Sequence, residues 1–133
     1  MKRNLTLTIA SLLSILFMTF HFTSDTLHAR VGSPEAGGLT LVAVPILAVW
    51  LYGTVLLGDR RSGQVIMLVG SLIALLMPVI HARGPEGFFT GQWANRSDAF
   101  LFIWTLHVLG VTGMFSLILS IRALLSQQRS QAR

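Results

Sequence analysis

The chain contains no cysteine, and that single absence removes several kinds of chemistry at once. A disulfide framework, a thiol nucleophile and a Cys-ligated metal centre are all excluded. So are the four-span disulfide oxidoreductases, whose work is thiol exchange. Charge is nearly as scarce, since only 11% of the 133 residues are Asp, Glu, Lys or Arg. The signatures of nucleotide-binding and hydrolytic enzymes are missing as well. There is no GxxxxGK[ST] phosphate loop, no GxSxG elbow and no HExxH helix, and Arg83-Gly84-Pro85-Glu86-Gly87 reads as a turn. No repeat of useful length is visible, and the polar segments are too short to fold a separate soluble domain.

What remains is apolar: 53% of the residues are hydrophobic, and they come in runs rather than in amphipathic alternation. A bilayer core takes about 20 mostly apolar residues per helix. Four stretches come close, at 5–22, 39–58, 65–82 and 99–121, and none contains Asp, Glu, Lys or Arg. The expectation is an all-α integral membrane four-helix bundle, one transmembrane domain over 1–133. The basic start at Met1–Asn4 followed by apolar residues also resembles a cleaved signal peptide. A retained helix is favoured, because the run continues through Phe20 and Phe22 and the nearest cleavage-like site, Leu27-His28-Ala29, has a large residue where a small one is wanted.

The short segments between the runs are lopsided in charge. On a four-crossing path Lys2, Arg3, Arg60, Arg61, Arg122, Arg129 and Arg133 fall on one side, and Arg30, Arg83 and Arg96 on the other. Against Asp59 the first set leaves +6; against Asp25, Glu35, Glu86 and Asp98 the second leaves −1, which together give the net +5. Short basic loops stay cytoplasmic, so both termini and the 59–64 turn are expected inside, with the 22–37 and 83–98 loops outside. The basic residues are then topology signals and partners for anionic headgroups, and no nucleic-acid partner is required. Phe88, Phe89 and Trp93 in the second outer loop read as interfacial anchors. Asn95-Arg96-Ser97 matches a glycosylation acceptor, relevant only in a eukaryotic secretory setting.

Within the spans, Thr6, Thr8, Ser11, Ser14 and Thr19 make the first one rich in hydroxyls that can bond a neighbouring helix inside lipid. Pro45 interrupts the second and is expected to kink it. In the fourth, Thr105, Thr112, Ser116 and Ser120 form a small polar stripe nearly opposite a face carrying Trp104, His107 and Met114. One of these faces can pack inside the bundle. The other asks for a partner, which points to a homo-oligomer or a larger membrane complex.

The candidate chemistry lies in the histidines His21, His28, His81 and His107, all in the outer half of this topology. At about 100° per residue, His21 shares a helix face with Ala10, Ser14 and Phe17, with Asp25 one turn later. His81 shares a face with Met67, Gly70, Ala74 and Met77. Small residues mark where membrane helices approach each other, so both imidazoles are expected to point into the bundle near its mouth. His21, Asp25 and His81 are the candidate metal ligands, with Glu35, Glu86 and Asp98 available from adjoining loops. An Asp four residues from a His can fix its tautomer, as beside a metal or in a proton relay. The alternative is that each histidine is an amphipathic boundary residue. His21 and His81 are also the only couple suited to haem b. His107 lies about 12 Å inside the fourth span at 1.5 Å per residue, the only ionisable group so deep. It is a candidate for a ligand or proton path, with a structural hydrogen bond to another helix as the competing explanation. The methionines read as core packing.

The stretches Met18-Thr19-Phe20-His21, Val44-Pro45-Ile46-Leu47-Ala48-Val49-Trp50-Leu51-Tyr52-Gly53, Pro78-Val79-Ile80-His81 and Phe102-Ile103-Trp104-Thr105-Leu106 resemble a family of small bacterial four-span membrane proteins. The resemblance implies a bacterial inner (plasma) membrane and brings no activity with it. Small multidrug transporters are similar in length and span count, but they centre on an acidic residue in the first span, and the first span here has neither Asp nor Glu. The reading is a non-enzymatic multi-pass membrane protein, an accessory or sensing component of a membrane complex, with no cofactor committed. The alternatives are a small oligomeric transporter or channel with His107 on its path, and a haem- or quinone-linked redox subunit using His21 and His81.

The charge split makes the topology testable. Reporter fusions should be active on the cytoplasmic side at residue 133 and on the external side at residue 92. The reverse at either position would sink the four-span path.

Overall fold

The structure, a computed structural model, describes residues 4–28, 34–83 and 99–131. It is all-helical there, with α1 (Leu5–His28), α2 (Pro34–Val55), α3 (Arg61–Arg83) and α4 (Ala99–Gln131). The starts of α1, α2 and α3 each have a local cause. Asn4 accepts from the Leu7 amide through its side-chain oxygen at 3.2 Å, a cap for an otherwise orphaned donor. Pro34 occupies the first helical position of α2, where its missing N–H costs nothing. A tight turn over 56–60 joins α2 to α3, with the Arg60 amide donating to the Leu57 carbonyl at 2.8 Å and the Gln64 amide to the Arg60 carbonyl at 3.1 Å.

Three of the helices contain segments long and apolar enough to cross a membrane, at Leu5–Thr26, Arg61–Ala82 and Phe100–Arg129. In α2 the corresponding apolar stretch is shorter, Leu41–Val55. α2 continues through Pro45 and α3 through Pro78. The helix ends differ from the apolar runs because backbone hydrogen bonding does not stop where hydrophobicity does. α4 continues ten residues past the end of its apolar run at Ile121, to Gln131. α2 stops at Val55, before Leu56 and Leu57, which are apolar but belong to the turn.

Consecutive helices run antiparallel, as the cross-helix partners require. Ser11 near the start of α1 meets Trp50 and Thr54 near the end of α2. Ser71 in α3 meets Ser116 in α4, while His21 of α1 stacks near Phe102 at the start of α4. The helices form a ring in which each touches the next and α4 closes on α1. The α3–α4 interface is the most extensive, direct α1–α3 contact across the diagonal is small, and α2 and α4 do not meet among the described residues.

The interior mixes apolar side chains such as Leu7, Met18, Trp50, Met67, Leu106 and Leu109 with small polar ones, and the outside is apolar. Thr8, Ser11, Ser14, His21, Thr54, Ser71, Ser116 and Ser120 are buried, while Leu41, Phe100, Leu101, Trp104, Val111 and Phe115 are among many large apolar side chains turned outward. Water penalises such a surface, and lipid does not. The Ser116 and Ser120 stripe of α4 therefore faces the interior. The Trp104 and Met114 face looks out.

Two close approaches set the spacing. The indole of Trp50 lies over Gly70, where a Cβ would collide with the ring, and at Gly113 a Cβ would fall 2.8 Å from Ala74 Cβ and 3.1 Å from the Leu75 backbone nitrogen. Trp50 Nε1–H donates to Ser11 Oγ at 2.9 Å, Thr54 donates to the Trp50 carbonyl at 2.9 Å, and Ser11 and Thr54 hydroxyls meet at 2.8 Å. With the Thr54 proton committed to the carbonyl, Ser11 donates to Thr54, and each hydroxyl in this knot is used.

Steric fit should outweigh the hydroxyl bonds in holding the helices. Gly113→Val should cost about 1–3 kcal/mol through overpacking, and Ser71→Ala only about 0.6 kcal/mol, the typical worth of an interhelical hydrogen bond in lipid. Thermal unfolding in mild detergent reads both, and a larger loss for Ser71→Ala would reverse the ranking.

Candidate functional site

The C-terminal turns of α1 and α3 bring three ionisable side chains together at one end of the bundle. His21 and Asp25 are one helical turn apart on α1, so both project from one face. His81 enters from α3. His21 Nε2 lies 3.3 Å from Asp25 Oδ2, and His81 Nε2 lies 3.8 Å from the same oxygen. The ring centroids of His21 and His81 are 4.7 Å apart and nearly perpendicular, at 87°.

Burial is graded across the cluster. The His21 side chain is 0% exposed, whereas Asp25 is 20% and His81 29% exposed, so access runs past Asp25 and His81 to reach His21. Phe102 of α4 closes the far side, with its ring centroid 5.6 Å from His21 and 5.7 Å from His81. Below this layer, Met18 one turn along α1 and Leu106 one turn along α4 are fully buried. They form an apolar floor.

The two imidazoles differ in how their nitrogens are used. His81 Nδ1 is 3.0 Å from the Met77 carbonyl. A carbonyl only accepts, so Nδ1 carries a proton, and Nε2 lies on the Asp25 side, 3.8 Å from Oδ2. Neither ring nitrogen of His21 has a hydrogen-bond partner among the described residues. Its 3.3 Å approach to Asp25 is an ion-pair distance without hydrogen-bond alignment. A buried polar atom left in that state costs about 1–3 kcal/mol, which suits a group held for a ligand rather than for stability.

One ligand atom from each of His21, Asp25 and His81 falls within 4.8 Å of the others, a spacing from which a single cation can be held. A haem does not fit between these histidines as they stand. The iron and its macrocycle have to sit between two opposed imidazoles, and here the rings meet edge to face at 4.7 Å.

The expected convergence of His21, Asp25 and His81 is thus present. His107 is not part of it: its ring is exposed on the outer face of α4, and Nδ1 donates to the Ile103 carbonyl at 2.7 Å. Gly110, close by on the same helix, admits a neighbouring helix: Pro78 of α3 packs there, with its Cγ 2.9 Å from where an added Cβ would lie. The side chains of His28, Glu35, Glu86 and Asp98, and the anchors Phe88, Phe89 and Trp93, lie outside the described residues. Phe102 was not among the expected site residues. On the sequence it is one aromatic among several at the start of α4, and only the crossing of three helices selects it.

No family model, curated protein or solved structure matches the chain.

The unpaired nitrogens lead to a stability prediction. His21→Leu, close in volume and without the two buried polar atoms, should match or exceed the wild-type melting temperature in detergent. A loss above about 2 kcal/mol, the range expected when a needed buried polar group is removed, would identify the imidazole as a structural element.

Proposed function

We propose that this chain is a four-span integral membrane protein of a bacterial plasma membrane, with both termini cytoplasmic, acting as a non-enzymatic accessory or sensing component of a membrane complex. The observation that carries this reading is the His21, Asp25 and His81 cluster, partly exposed at Asp25 and His81 and fully buried at His21. Ionisable groups within membrane helices are expensive and retained for function. An ionisable cluster at one end, with Met18 and Leu106 buried beneath it, takes a small ligand or proton there, while His107, the deep ionisable group a transport path would use, is exposed on the outer face of α4. That favours sensing over transport.

The orientation rests on the +6 and −1 charge split, which puts the cluster on the external side. α2 is read as the fourth crossing: its apolar stretch Leu41–Val55 is shorter than the other three, and Leu39, Leu56 and Leu57 prolong it in the sequence. The outward face of α4, with Trp104, Val111, Met114 and Phe115, is available to lipid or to a membrane partner. A second copy of the chain is one such partner.

Tagged full-length chain, extracted in mild detergent, should migrate in a defined complex with a fixed set of membrane proteins. The purified chain should show neither a Soret band nor cation or proton flux in liposomes. Flux sustained by the chain alone would replace this reading with the transporter, and a Soret band would replace it with the redox subunit.

A further inference from the structure

We propose that His21, Asp25 and His81 form a binding site for a borderline divalent transition-metal ion of the Zn²⁺ class, reached past the partly exposed Asp25 and His81 and clamping α1 to α3. The proposal deepens the sensing reading and rests on it, since it names the ligand class that the cluster would report.

Geometry comes first. Metal–donor bonds of about 2.0–2.1 Å put the donors of a tetrahedral centre roughly 3.4 Å apart. The observed separations from Asp25 Oδ2 are 3.3 Å to His21 Nε2 and 3.8 Å to His81 Nε2, so two of the three edges already have nearly the needed length. With all three ligand atoms inside 4.8 Å, small side-chain rotations complete the triangle.

Donor chemistry selects the ion. Two imidazoles and one carboxylate suit Zn²⁺, Co²⁺, Ni²⁺ or Cu²⁺, whereas Ca²⁺ and Mg²⁺ ask for oxygen-rich shells. His81 is prepared for this role: its Nδ1–H donates to the Met77 carbonyl at 3.0 Å, the outer bond that metal-ligating histidines regularly make to fix tautomer and ring orientation. His21 supplies an independent sign of a missing ligand. It is fully buried, and neither nitrogen has a hydrogen-bond partner among the described residues, while Nε2 lies 3.3 Å from the Asp25 oxygen that would share the ion.

Electrostatics agree. Asp25 and His81 sit in the last turns of α1 and α3, where unsatisfied carbonyls carry partial negative charge. An acidic side chain there is disfavoured without a cation nearby. Three protein ligands also leave a coordination position for water or an exchanging group on the accessible side, the pattern of a reversible site rather than a closed structural one.

The clamp follows from where the ligands originate. His21 and Asp25 come from α1 and His81 from α3, helices whose direct contact is the smallest of any touching pair in the bundle. A bridging ion adds a strong link where packing supplies a weak one, so occupancy is converted into the relative position of two helices.

Purified full-length chain in mild detergent, titrated with Zn²⁺, should bind one ion per chain and melt several degrees higher. Mg²⁺ at the same concentration should leave the melt unchanged. Co²⁺ should produce visible d–d absorption of a nitrogen- and oxygen-ligated centre. Asp25→Asn should weaken Zn²⁺ binding by roughly tenfold or more, and the His21→Leu/His81→Leu pair should abolish both the absorption and the melting shift. His81→Gln, tested alone, guards against a double variant that fails to fold, and should lose the Co²⁺ band while retaining the wild-type melt without metal. An unchanged melt together with no Co²⁺ band in folded wild type would overturn the site. So would a metal-induced shift that persists in the folded variants. Because these measurements use the isolated chain, a missing partner complex would refute the accessory reading without touching them, and a negative titration would leave that complex intact.

Discussion

Two helices side by side in lipid have no hydrophobic reason to associate, and every feature of this bundle answers that constraint. Lipid tails solvate leucine as well as another leucine does, so association depends on close contact and on polar groups with nowhere else to go. The interior accordingly uses glycine against indole at Gly70 and Trp50, glycine against alanine at Gly113 and Ala74, and hydroxyl pairs at Ser11 with Thr54 and Ser71 with Ser116. Large apolar side chains fill part of the core, as Trp50, Leu7, Met18, Met67, Leu106 and Leu109 do, and many more lie on the outside. A water-soluble four-helix bundle of the same outline would cover that outer surface with polar and charged residues.

The same constraint explains why the ionisable cluster lies at an end. A carboxylate and two imidazoles carried to mid-bundle would lose hydration with nothing to replace it. One helical turn from the end, Asp25 and His81 keep partial exposure, and only His21 is sealed off. Phe102 limits how far water follows the cluster inward, because it packs against both rings above the buried Met18 and Leu106. The site is a compromise between access and dryness. A drier site would strengthen each electrostatic contact but close the route to it.

Much of this was legible in the sequence, and the parts that were not share a cause. Four uncharged apolar runs announced four helices, and the angular positions of His21, Asp25 and His81 put them on inward faces, because α1 and α3 each have a single row of small residues to mark the interior. α4 has two competing rows. His107 with Gly110 and Ser116 with Ser120 both looked suitable for packing, and sequence periodicity cannot choose between them. The choice is made by α3, which offers Ser71 and Ala74 to the Ser116 and Gly113 side. His107 then falls outward, satisfied in part by its own helix through Ile103. The end of α2 was hidden for another reason: Leu56 and Leu57 prolong the apolar run, but the backbone has already turned.

The ring of contacts also decides which helix pair can respond to a ligand. α3 and α4 share the largest interface, tightened by Gly113 and by Pro78 against Gly110, and packed surfaces of that kind move as a unit. α1 and α3 meet only across the diagonal, so their own contact resists a change in separation least, and such a change is opposed instead through the packing of α1 on α4 and α2. Binding free energy shifts a conformational equilibrium only as far as the two states differ in their contacts with the ligand. A site drawing two ligands from α1 and one from α3 makes that difference as large as the bundle permits, because any movement of one helix past the other stretches or closes the cluster itself. The same three residues in one helix, or across the α3–α4 interface, would bind an equivalent ion and report nothing.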